Sequence, residues 1–101
     1  MHNSKIEEVL YSERALQNAI SIKNYLQNNF SKKEVDVFFA LLQSFEAVVK
    51  EFPKLYSATS RKKNIRRAVL SKQLSVFYRV NNSNIEVLAM LDNRCDISEW
   101  S

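Results

Sequence analysis

Apolar residues recur at helical spacing through the first half of the chain and at every second position through much of the second half. The opening stretch, residues 6–11, holds the short apolar run Val9, Leu10 and Tyr11 and predicts a first strand. Ser12 then stands where a helix begins: its hydroxyl can accept from an early backbone N–H, Glu13 suits the positive end of the helix dipole, and Tyr11 and Leu16 sit at staple spacing. Behind this cap, Ala15, Ala19, Ile22 and Leu26 form one apolar stripe, widened by Leu16, Ile20, Tyr25 and Phe30.

The segment Ser31-Lys32-Lys33-Glu34 reads as a capping box, with Ser31 capping forward, Glu34 reaching back, and Phe30 and Val35 at the staple positions. Asn28-Asn29 before it suits a tight turn, because asparagine tolerates left-handed backbone. A second helix follows almost without a loop. It is expected to bury Val35, Phe38, Leu41, Leu42, Phe45, Val48, Val49 and Phe52 along one face, and Pro53 stops it by disfavouring helix at Phe52. The two helices form an antiparallel hairpin with one long apolar side.

Residues 53–63 show no period and read as a connection. Three strand-like segments follow at 65–72, 74–80 and 85–91. The second sets Leu74, Val76, Tyr78 and Val80 against Ser75, Phe77 and Arg79; the third sets Ile85, Val87, Ala89 and Leu91 against Glu86, Leu88, Met90 and Asp92. Residues 81–84, Asn-Asn-Ser-Asn, join them as a hairpin turn with asparagine where glycine is usual. The predicted fold is α+β, in the order β-α-α-β-β-β: an antiparallel sheet with an N-terminal helical hairpin packed on one face. At 101 residues, 46% of them apolar, the chain is one domain spanning 1–101 with a single core.

Composition removes several classes of function. No apolar run approaches the roughly 20 residues that cross a bilayer, and the N-terminal residues lack a signal-peptide pattern, so the expectation is a cytoplasmic protein. One cysteine, Cys95, and one histidine, His2, leave no internal disulfide, no metal site and no Cys/His or Ser/His triad to expect. With no glycine, Gly-rich phosphate loops are excluded, and no cofactor is expected.

Charge is distributed unevenly. Residues 1–52 carry six Lys/Arg against seven Asp/Glu, a net of −1, while residues 53–101 carry nine against four, a net of +5. Between Lys54 and Arg79 lie eight cations and no acid, a stretch able to attract nucleic acid or an acidic protein. Arg66, Arg67 and Arg79 fall on or beside strands, where a fixed cation can recognise phosphate or carboxylate with defined geometry. The plainer alternative is a solvated face that protects an edge strand from aggregation; the lack of interleaved acid favours binding. Phe77 is a candidate for base stacking, whereas Tyr78 reads as core. Arg94 follows the last strand, either as a functional cation or paired with Asp92 or Asp96. Cys95 has no activating neighbour but Arg94 and reads as semi-buried and inert.

A capped helix after Tyr11-Ser12-Glu13-Arg14-Ala15, a second ending at Glu51-Phe52-Pro53, then Ile65-Arg66-Arg67, Val76-Phe77-Tyr78-Arg79-Val80 and Asp92-Asn93-Arg94 resemble, as an ordered set, the RelE/ParE superfamily of bacterial toxins. The resemblance implies a toxin neutralised by a small antitoxin whose C-terminal segment wraps it. RelE-like members cleave mRNA on the ribosome with basic residues and a C-terminal tyrosine; ParE-like members poison DNA gyrase without that set. The RNase pattern is poorly kept here. Its two alternating cations on the first sheet strand correspond to Arg66 and Ala68, its next arginine to Ser75, its following arginine to Arg94, and its tyrosine to Trp100, which cannot exchange a proton.

The resemblance therefore implies a ParE-like toxin that binds rather than catalyses, with DNA gyrase or a related topoisomerase as target and partner-binding residues Arg66, Arg67, Arg79, Arg94 and Trp100. The alternatives are a ribosome-dependent mRNA interferase using Arg66, Lys72, Arg79 and Arg94, and a non-toxic interaction or DNA-binding module on the same fold. The apolar helical face offers a surface for an antitoxin or a second copy, giving a hetero-oligomer or a homo-oligomer.

Overall fold

The computed structural model describes residues 6–60 and 63–95. Strand β1 (Glu8–Tyr11) leads into helices α1 (Glu13–Asn29) and α2 (Lys32–Glu51), followed by β2 (Ala58–Ser60), β3 (Ile65–Val69), β4 (Leu74–Val80) and β5 (Asn84–Asp92). The α+β class and the element order hold, with two adjustments. A short strand, β2, forms inside the expected connection and pairs antiparallel to β3. And the sheet is mixed: in the order β1-β5-β4-β3-β2, β1 runs parallel to β5 while the other pairs are antiparallel. The long excursion through both helices allows this, because a parallel neighbour needs a crossover and α1–α2 provides one.

Both caps form. The Ser12 hydroxyl accepts from the Ala15 N–H at 3.0 Å and donates to the Leu88 carbonyl at 3.0 Å, so one side chain starts α1 and ties it to β5. Ser31 accepts from the Glu34 N–H at 3.4 Å. The reciprocal half of the expected box is replaced, since the Glu34 carboxylate bonds Arg94 instead. The junction between the helices uses no left-handed residue: the cap, Phe30, has φ −129° and its N–H closes on the Leu26 carbonyl. The 81–84 turn likewise closes, through Asn81 N–H to the Asn84 carbonyl at 2.9 Å, without positive φ. Among the described residues the left-handed position is Asn64, at φ 56°, entering β3.

The core lies between the helices and one sheet face. Ala15, Ile22 and Leu26 of α1 and Val35, Phe38, Leu42, Phe45 and Val49 of α2 are buried there. They meet Ala68, Leu74, Val76, Tyr78, Ile85, Val87 and Met90 from the sheet. Phe45 packs edge-on against Tyr78, with ring centroids 5.5 Å apart. Leu16, Ile20 and Phe30, expected to widen the α1 stripe, are exposed, as is Phe52 at the end of α2. The hairpin is narrower on its sheet side than its apolar content suggests.

The alternation of β4 is as expected, but that of β5 breaks. Phe77 faces Ala89 while Tyr78 faces Val87, so Leu88 is an extra residue, a bulge. It shifts the phase: Ile85 and Val87 before it and Met90 and Asp92 after it point into the core, and Ala89 and Leu91 turn to the open face.

Candidate macromolecular interface

The sheet face away from the helices is uncovered among the described residues, and register decides which cations reach it. Neighbouring residues on a strand point to opposite faces, so Arg66 and Arg67 part company. Arg66 pairs with Tyr78 and shares the covered side with Ala68; Arg67 pairs with Phe77 on the open side. The two positions assigned to alternating cations, Arg66 and Ala68, thus lie under the helices, and their open-face counterparts are Arg67 and Val69.

Arg67 is fixed in place. Its Nε and Nη2 donate to the Ser75 hydroxyl at 3.1 and 3.0 Å, and its guanidinium lies 5.7 Å from the centre of the Phe77 ring. Ser75, where the resemblance places an arginine, is buried and acts as the anchor for Arg67. Arg79 stands on the same face, 3.5 Å from the Glu86 carboxylate, with both side chains more than a third exposed. Such a pair is weak and can open to a partner. Around these cations lie Leu10 and Val69, both exposed, and the half-buried Phe77. Among its described residues this face carries no histidine or tyrosine.

Arg94 is committed internally. It chelates the wholly buried Asp92 through Nε at 3.0 Å and Nη2 at 2.7 Å, bonds Glu34 through Nη1 at 2.8 Å, and lies 5.6 Å from the centre of the Phe30 ring. The Asp92 hydrogen bonds, more than burial works against them, hold its guanidinium above its already high ordinary pKa. The structural Asp92–Arg94 pair is therefore present, extended to Glu34 in the first turn of α2. Arg66 is also tied inward, through Nη1 to the Tyr56 carbonyl at 2.7 Å. Trp100 lies outside the described residues. Cys95 is buried in the core.

The apolar helical face expected from the sequence takes the form of a groove. Between α1 and α2, on the side where Leu16 and Phe39 are exposed, runs an apolar groove of about 270 Å³, also lined by Ala19, Leu42 and Met90, with Tyr11 donating to Glu46 in its wall. Burial, then the Glu46 hydrogen bond, pushes the Tyr11 phenol well above its ordinary 10.0. The excess apolar width of α1 was the available signal for this groove.

No protein-family model and no curated protein matches the chain. Solved structures do. A chain of the chromosomal ParDE TA system from P. aeruginosa superposes with a TM-score of 0.67 at 13% identity, covering 89% of this chain and 98% of that one. The conserved hypothetical protein HP0894 from Helicobacter pylori gives 0.57 at 15% identity, over 86% and 94%. A chain of the E. coli DinJ-YafQ toxin-antitoxin complex gives 0.50 at 9% identity, over 89% and 94%. The chain thus has the fold of the RelE/ParE superfamily, the one its ordered caps, helix end and strand arginines resemble.

Proposed function

We propose that this chain is the toxin of a type II toxin-antitoxin module, ParE-like in acting by binding DNA gyrase or a related topoisomerase, and neutralised by a cognate antitoxin. The observation that carries this reading is the composition of the open sheet face. Arg67 is fixed by Ser75 and Phe77, Arg79 is held loosely by Glu86, and the described residues there include no histidine or tyrosine to pass a proton to a scissile phosphate. One fixed guanidinium and one loosely paired one among apolar side chains suit recognition of an acidic surface. The fold shared with a chain of the ParDE system over nearly all of that chain supports the branch. A cytoplasmic site of action accords with the described helices, none of which is long and apolar enough to cross a membrane.

Induced expression in a bacterial host, with plasmid supercoiling and mRNA integrity followed together, tests the reading. Relaxed plasmid or trapped cleavage complexes with intact mRNA support it. Normal supercoiling with codon-positioned mRNA cuts replaces it with the interferase, and unimpaired growth with the inert module.

A further inference from the structure

Arg66 is a sheet arginine turned under the helical side, and no carboxylate meets it there among the described residues. Its Nη1 is held by the Tyr56 carbonyl at 2.7 Å and reaches that of Lys54 at 3.5 Å, while its Nε is buried with no hydrogen-bond partner. Peptide carbonyls orient a guanidinium without neutralising it, and arginine cannot shed its proton to escape the cost. A buried donor without an acceptor is a defect that folded proteins rarely retain. Arg79 and Arg94, by contrast, each have a carboxylate.

Beside Arg66 opens a cleft of about 410 Å³, lined also by Lys54, Asn64, Asn81 and Asn82. Among the described residues two cations and three carboxamides line it, and no acid. Its walls are tied down: Asn64, left-handed at φ 56°, donates to the Val80 carbonyl at 3.2 Å, and the Asn81 amide donates to the Asn84 side chain at 2.9 Å. On the helical side, the Tyr78 hydroxyl holds the Pro53 carbonyl at 2.9 Å.

We propose that this cleft is an oxyanion site that seats a phosphoryl group against the Arg66 guanidinium, with the Lys54 ammonium as second cation. Phosphate oxygens supply the acceptors the guanidinium lacks, and a planar fork recognises them in pairs. A small turn of the guanidinium brings the buried Nε–H to the ligand while Tyr56 keeps hold of Nη1. The cleft is larger than one phosphate, so the group can arrive free or as the 5′-phosphate of a nucleotide. The site lies on the opposite side of the sheet from Arg67 and Arg79 and does not depend on the proposed target.

The test is a titration of the isotopically labelled full chain, following the arginine Nε–H and asparagine side-chain amide resonances by NMR. Inorganic phosphate is added in one arm and adenosine 5′-monophosphate in the other, against chloride at equal ionic strength. The expected result is a saturable shift of Arg66 Nε–H and the Asn82 amide. Its affinity falls about tenfold in Lys54→Gln, whose exposed side chain is not needed for folding, and is lost in Arg66→Gln. Tighter binding of the nucleotide makes the phosphoryl group a nucleotide's; equal binding makes it free phosphate. A linear drift without saturation overturns the site, as does a saturable shift whose affinity is unchanged in Lys54→Gln.

Discussion

Asp92 is wholly buried, and Arg94 takes both of its carboxylate oxygens, so the end of β5 is closed by a pair that cannot lose one member cheaply. Removing one partner of a buried ion pair costs about 3–5 kcal/mol, because the other is left uncompensated. Arg94→Met, which leaves the wholly buried Asp92 without its cation, should lower stability by that order in urea unfolding, while Glu34→Gln, at the more exposed end of the cluster, should cost about 1 kcal/mol or less. A second residue-scale expectation concerns alkaline pH. The folded chain holds the Tyr11 phenolic proton above the ordinary 10.0, chiefly through burial. The stabilisation from Tyr11 is complete below about pH 10 and is lost as pH rises beyond it. The urea midpoint should fall above that pH, less steeply in Tyr11→Phe; Tyr78, also raised by burial, leaves a residual slope. Some of this was visible in the sequence, where Asp92 stands two positions before Arg94. The side of the sheet on which Arg66 would fall was not. Two adjacent strand cations must part to opposite faces, and only the pairing of Arg66 with Tyr78 says which goes inward.

Helix α1 does more than cover the sheet. Parallel pairing of β1 with β5 ends at Tyr11 and Val87, and beyond that point the edge of β5 has no strand beside it among the described residues. Side chains of α1 and its cap take over: the Ser12 hydroxyl donates to the Leu88 carbonyl, and the Asn18 side chain accepts the Met90 N–H at 3.0 Å. Asn18→Leu should therefore destabilise by about 1–3 kcal/mol, the cost of an orphaned buried donor, although Asn18 is a polar residue set among the apolar ones on the sheet-facing side of α1. Ser12→Ala should cost about 1 kcal/mol for the cap alone; thermal melts of the two variants check both values. The helices and β4 were legible because caps, a proline stop and an unbroken alternation marked them locally. The β5 bulge was not, since Leu88 fits an alternating pattern on either side and only the partner strand reveals the extra residue. The parallel placement of β1 is likewise a long-range choice that its few residues do not encode.

At the scale of the whole molecule, the positive half of the chain resolves into separate sets of cations. Arg94 and Arg66 are turned inward, and Arg67 and Arg79 stand on the open face, backed by a helical layer that carries an apolar groove between α1 and α2. The proposed activity belongs to the open-face pair. Arg67→Ala with Arg79→Ala should weaken target inhibition about tenfold or more while leaving the unfolding free energy within about 1 kcal/mol of the parent, since surface changes of this kind cost little. The most direct measurement is supercoiling by purified DNA gyrase in the presence of the purified chain, alongside the double variant. The account predicts dose-dependent inhibition by the parent that the double variant largely loses. Full supercoiling at all concentrations of a folded parent, or equal inhibition by both proteins, would contradict it.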